Sequence, residues 1–159
     1  MKALVITLGV IFALLTVGLW TGWGLGGWFL SRDTQAVLYR AQVAANAADM
    51  KAYVTQLQKN MEERGMTKGF TALVWKTPEK DMELIYKTVV RANERLTAVQ
   101  GLPQMETTYQ VALDDLRGTL RELQLNTAGW FWTRNWWWIL GSFVSAIISV
   151  IFFFIGAVL

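Results

Sequence analysis

The chain has 159 residues, 53% of them hydrophobic, a formal charge of +3, and neither cysteine nor histidine. Those two absences remove disulfides, thiolate nucleophiles, the commonest general base and the commonest metal ligand, so no enzyme activity, metal or cofactor is expected. Charges of both signs are interspersed without a basic cluster, which argues against a nucleic-acid interface.

The charge is unevenly placed. Of the 15 Lys and Arg only Lys2 lies outside residues 32–134, and all 12 Asp and Glu lie inside that range. The expected class is an all-α membrane protein: two transmembrane helices flanking an antiparallel helical-bundle domain. The expected parts are a first transmembrane helix over residues 1–30, an extramembrane bundle over 31–135 and a second transmembrane helix over 136–159.

Residues 3–30 carry no charge, and a helix of that length exceeds the roughly 30 Å of a bilayer core. Its apolar run is longer than the core of a cleaved signal peptide, the competing reading. Trp20, Trp23 and Trp28 mark its far end, where indoles favour the membrane–water boundary. Gly18, Gly22 and Gly26 recur at i, i+4 and i+8. Lipid provides no hydrophobic drive between helices, so close backbone approach makes the contact. This glycine zipper predicts helix packing.

The middle reads as helices. Val43, Ala47, Met50, Val54, Leu57 and Met61 step at an amphipathic period, predicting one helix from Asp33 to Arg64 that Gly65 stops. Thr77-Pro78-Glu79 has the N-cap, first-position proline and acidic first turn of a second helix. Its apolar face is Met82, Ile85, Val89, Ala92, Leu96 and Val99. A third helix is expected from Pro103 to Leu125, with Met105, Tyr109, Ala112, Leu116, Leu120 and Leu123 inward, and then a break over Asn126 to Asn135. Such stripes bury one another in an antiparallel bundle.

Both spans join the bundle on one side, so the chain must cross the bundle an even number of times. Three long helices leave one crossing missing. Either the first helix breaks near Asn46-Ala-Ala-Asp49, or residues 65–77 form a return leg. The apolar period runs through Asn46 unbroken, which favours the return leg, with Trp75 shielded.

The second span, residues 136–159, carries Gly141, Ser145 and Ser149 at i, i+4 and i+8, at a depth that overlaps the first stripe. The two stripes suit packing within a chain or between chains. Trp130, Trp132, Trp136, Trp137 and Trp138 crowd its domain-side end and complete a tryptophan belt at the membrane interface.

Adjacent carboxylates at Glu62-Glu63 and Asp114-Asp115 point apart on a helix and do not suit acid–base chemistry. Neither span holds an ionisable residue, whereas transport pathways usually do. The expected function is a structural, assembly or accessory subunit of a membrane complex. Its expected partners are the lipid bilayer and copies of itself or other membrane subunits. One alternative is a homo-oligomeric channel or permeabilising protein lined by Thr16, Thr21, Ser142, Ser145 and Ser149; another is a bundle-based sensor. Lys2 and the α-amine outweigh Arg32, Asp33 and Arg40 across the first span. That places both termini inside and the bundle outside, as for a bacterial inner-membrane protein.

Overall fold

The computed structural model describes residues 2–158. It is all-helical, with six α-helices and no strand among those residues. They are α1 (Lys2–Gln42), α2 (Ala47–Glu63), α3 (Met82–Val99), α4 (Thr107–Glu122), α5 (Thr127–Arg134) and α6 (Trp136–Val158). The chain forms two compact units, one of residues 1–28 with 134–159 and one of residues 29–133. α1 contributes to both. α1 and α6 are long and apolar enough to cross a membrane.

The unit of residues 29–133 is an antiparallel four-helix bundle made by the end of α1 with α2, α3 and α4. The side-chain bonds define the order. Asp33 on α1 pairs with Arg64, and its carbonyl accepts from Asn60, both near the end of α2. Thr55 and Gln58 on α2 bond Asn93 on α3. Arg95 on α3 pairs with Asp115 on α4. Gln42 at the end of α1 donates to the Leu120 carbonyl of α4 at 2.8 Å. Core residues come from every helix: Val37, Leu38 and Ala41; Met50, Val54, Leu57 and Met61; Met82, Val89 and Leu96; Leu113, Leu116 and Leu120.

The helix expected from Asp33 to Arg64 is two helices. Asn46 caps α2, its side chain accepting from the Asp49 amide at 2.8 Å. This cap supplies the missing crossing, so the bundle closes with α1 as its first leg and needs no return leg over 65–77. Trp75 is 61% exposed, where shielding was expected, and Val43 is exposed in the turn rather than buried in the stripe. α2 ends at Glu63, and Gly65, two residues on, has φ +68. The Gly65 amide donates to Glu62 and the Met66 amide to Met61, closing the helix while Met66 buries its side chain against the core.

α3 begins four residues later than Pro78. Pro78–Lys80 form a 3₁₀ turn, and Asp81 rather than Thr77 caps α3 by accepting from the Glu83 amide at 2.9 Å. All six expected face residues of α3 are buried. α4 starts at Thr107, leaving Met105 fully exposed in the preceding turn. Leu113 takes the core position expected of Ala112, which is only half-buried. Residues 127–134, expected as a break, form α5, because Asn126 accepts from the Gly129 amide at 2.7 Å and starts a helix.

Candidate functional site

In the unit of residues 1–28 and 134–159, the first part of α1 and α6 pair antiparallel through small residues. The Ser149 hydroxyl donates to the Gly9 carbonyl at 3.0 Å, and Ser145 donates to the Phe12 carbonyl at 2.9 Å. A serine can do this only where the facing backbone comes close. Gly9 allows that approach: a Cβ there would stand 3.4 Å from Phe152 Cβ and from the Phe153 ring. Gly156 makes the reciprocal approach, where a Cβ would lie 2.9 Å from Ile6 Cγ1. Phe12 and Phe152 stack with ring centroids 6.0 Å apart and planes 13° from parallel.

This seam is not the one read from the glycines. On α6 the buried positions are Ser142, Ser145, Ser149 and Gly156. On α1 the half-buried or buried positions include Val5, Gly9, Phe12, Thr16, Leu19, Trp23 and Gly26, at alternating steps of four and three, flanked by Leu8, Ala13 and Gly27. A Cβ added at Gly18 or Gly141 would meet nothing within 4 Å, and one at Gly22 would meet only Trp138 at 3.6 Å. Gly26 is half-buried. Positions spaced strictly by four drift about 40° per step around a helix of 3.6 residues per turn. Gly18, Gly22 and Gly141 therefore fall off the seam within the chain, and Ser145 and Ser149 stay on it. The sequence signal that finds Gly9, Ser142 and Gly156 is the alternation of three and four.

The hydroxyls expected along a pore are engaged. Thr16 donates to Phe12 at 2.9 Å, Thr21 to Val17 at 2.7 Å and Ser142 to Ile139 at 2.7 Å, all to carbonyls of their own helices.

Of the tryptophans, Trp20, Trp28, Trp136, Trp137 and Trp138 are exposed, with Trp136 and Trp137 centroids 4.0 Å apart. Trp23 sits edge-on to Trp20. Trp130 leaves the expected interfacial set: it is 5% exposed and belongs to the bundle core. Trp132, 42% exposed, lines a surface cavity of about 630 Å³ with Leu73, Val74 and Trp75.

The paired carboxylates diverge as the helical spacing requires. Glu62 accepts from Tyr86 at 2.6 Å and from Gln58 at 2.9 Å, while Glu63 pairs with Lys59 at 3.7 Å. Asp114 pairs with Arg117, and Asp115 with Arg95. The Tyr86 hydrogen bond, helped by Gln58, holds the Glu62 carboxyl below its ordinary pKa against a smaller opposing effect of burial. The same bond raises the Tyr86 phenol above its ordinary value. Among the described residues no three Asp or Glu side chains gather to hold a metal ion. No known family, characterised protein or solved structure matches the chain.

Proposed function

We propose that the chain is a two-pass integral membrane protein that serves as a structural, assembly or accessory subunit, joining other membrane helices through the outer faces of α1 and α6. The observation that carries this is the condition of the helical pair. Its own seam is satisfied by Ser145 and Ser149, yet only 6% of the apolar window of α1 and 22% of that of α6 is buried. A core helix of a water-soluble protein hides its apolar surface, so exposure on this scale favours a lipid surrounding. A removed leader would strip Ser145 and Ser149 of their acceptors, which favours a retained first span.

Gly18 lies on the outer face of α1 with nothing within 4 Å of an added Cβ, and Gly22, a turn further on, is exposed beside the Trp138 ring. They are the proposed contact with a second copy or a different subunit. The channel alternative would need polar side chains along an axis shared by several copies, and Ser145 and Ser149 are instead turned to α1 of the same chain.

Because the chain is free of cysteine, Gly18→Cys gives a single reactive position. Oxidation in native membranes is expected to yield a disulfide-linked dimer if the neighbour is a second copy, and a thiol-to-amine crosslinker a heavier adduct if it is another subunit. A Val17→Cys control, equally exposed to the surroundings but about 100° round the helix at the same depth, should yield far less. Equal yields would refute the contact, and ion conductance by purified protein in liposomes would replace the subunit reading with the channel. The proposed orientation, bundle outside the cytoplasm, requires Lys59→Cys to react with an impermeant maleimide while the inner membrane is intact.

A further inference from the structure

Among the exposed apolar residues of the bundle, Leu73, Val74 and Trp75 are consecutive, and they are 59%, 80% and 61% exposed. Three consecutive apolar side chains at a loop tip are costly in water, and the loop is held firmly in place. The Thr71 amide donates to the Lys80 carbonyl at 2.9 Å, and the Met82 amide donates to Gly69 at 2.8 Å. Gly69 has φ +99, a backbone conformation that suits glycine. Thr133 on α5 donates to the Phe70 carbonyl at 2.8 Å. A Cβ at Gly129 would stand 2.5 Å from the Thr71 carbonyl oxygen, so α5 lies directly against the loop.

The loop's place in the bundle gives it meaning. Asp33, a few residues into the bundle along α1, bonds Asn60 and Arg64 at the end of α2. The segment that follows α2 therefore lies at the end where α1 enters. The chain also leaves the bundle there, since Thr133 touches Phe70. Thr133 is joined to Trp136, the first residue of α6, by three peptide links, at most about 11 Å of chain. The turn at Met105 lies at the opposite end, between α3 and α4.

We propose that the Leu73–Trp75 loop, with Trp132 beside it, is a third membrane contact, seated in the headgroup layer of the bilayer that α1 and α6 cross; this rests on the two-span reading above. The chemistry fits that layer. Two indoles supply apolar faces with a polar N–H, Leu73 and Val74 supply aliphatic surface, and Lys76 and Lys80 flank the tip with long stems that reach a headgroup while their methylenes stay in the boundary. Lys76 Nζ lies 5.4 Å from the Phe70 ring centroid, folded along the loop. The contact fixes the end of the bundle against the bilayer by a mechanism separate from its two covalent attachments.

The test uses the full chain in phosphatidylcholine–phosphatidylglycerol vesicles. Val74→Cys, Met105→Cys and Val150→Cys are each labelled with an environment-sensitive fluorophore and quenched with lipids brominated at shallow or deep positions. The Val74 label should shift to the blue and lose emission chiefly to shallow bromines. The Val150 label should lose emission to deep bromines, and the Met105 label to neither. Adding Leu73→Ser and Trp75→Ser should return the Val74 label to its aqueous spectrum. If Val74 behaves like Met105 while Val150 is quenched, the loop contact is overturned and the two spans stand. If Val150 is also unquenched, the two-span reading fails and the loop contact falls with it.

Discussion

The pairing of α1 with α6 can be tested by a covalent bridge. A Cβ built at Gly9 lies 3.4 Å from Phe152 Cβ. Disulfides need Cβ atoms about 3.5–4.5 Å apart, so Gly9→Cys with Phe152→Cys requires the helices to open by only tenths of an ångström. Chain-entropy arithmetic for a loop of about 140 residues gives a stabilisation of about 5 kcal/mol. That is a ceiling, because the bundle already restrains most of the loop. The assay is mild oxidation in membranes, proteolysis at a site engineered into the exposed turn at Met105, and a non-reducing gel. The two fragments should migrate together until reductant is added. Ser145→Ala with Ser149→Ala removes two interhelical hydrogen bonds worth about 0.6 kcal/mol each in a membrane. Together these are about 1.2 kcal/mol, and the seam equilibrium should loosen by roughly eightfold, slowing the bridge. Intermolecular dimers in place of the internal bridge, from protein that is intact in the membrane, would refute the seam.

Two further predictions concern the bundle. Tyr109 is buried and its hydroxyl accepts from the Ala47 amide at 2.9 Å, in the first turn of α2; Tyr109→Phe leaves that amide unsatisfied and should cost about 1–3 kcal/mol, read as faster hydrogen exchange at Ala47, and unchanged protection would contradict it. The Glu62 carboxyl, lowered below 4.5 by Tyr86 and Gln58, adds stability above its unfolded pKa that is lost as pH falls through the folded one, and Tyr86, raised above 10.0, adds stability below that value that is lost as pH rises past it. Both groups lie near the surface, so the effect is small. The difference in thermal stability between the native chain and Tyr86→Phe should shrink at both extremes, and a difference that stays flat with pH would show that the bond does not couple to folding.

How much was legible follows from how strongly each local signal competes. The buried face of α3 is readable because Met82 to Val99 places apolar residues at each helical step, with polar residues between, whereas its start is not, because Thr77-Pro78-Glu79 imitates a cap that Asp81 supplies. The break before α2 was hidden for the opposite reason. Ala44, Ala45, Ala47 and Ala48 suit a helix, and only the Asn46 cap marks the turn. Tertiary order decided that contest: the bundle needs a reversal there, and the cap makes it cheap. α5 was missed because eight residues with a glycine carry little periodicity, although Asn126 three residues before Gly129 is a capping signal. Trp130 reads as interfacial from its neighbours in sequence, whereas its position in α5 turns it into the core. On α1 and α6 the residue types were legible and the face was not, since glycines spaced by four attract notice while the seam alternates three and four.

α1 meets different kinds of partner residue along its length. From Val5 to Trp23 its inward positions are a mixture that includes Gly9 and Thr16, and its partner offers serines. From Leu30 to Ala41 the same alternating register continues through Leu30, Thr34, Val37 and Ala41, with the partners supplying Met, Leu and Val. In water, burying large side chains is itself the driving force, at about 25 cal/mol per Å². In lipid that drive vanishes, and the contact must come from close backbones and hydroxyl-to-carbonyl bonds. Thr34, which donates to the Leu30 carbonyl at 2.5 Å within the helix, is the sole polar residue on the second stretch of that stripe. The change in the facing residues, from serines to methionine, leucine and valine, falls between Trp23 and Leu30. Trp28 and the charged residues from Arg32 onward are also found there, which is where a bilayer surface belongs on the two-span reading.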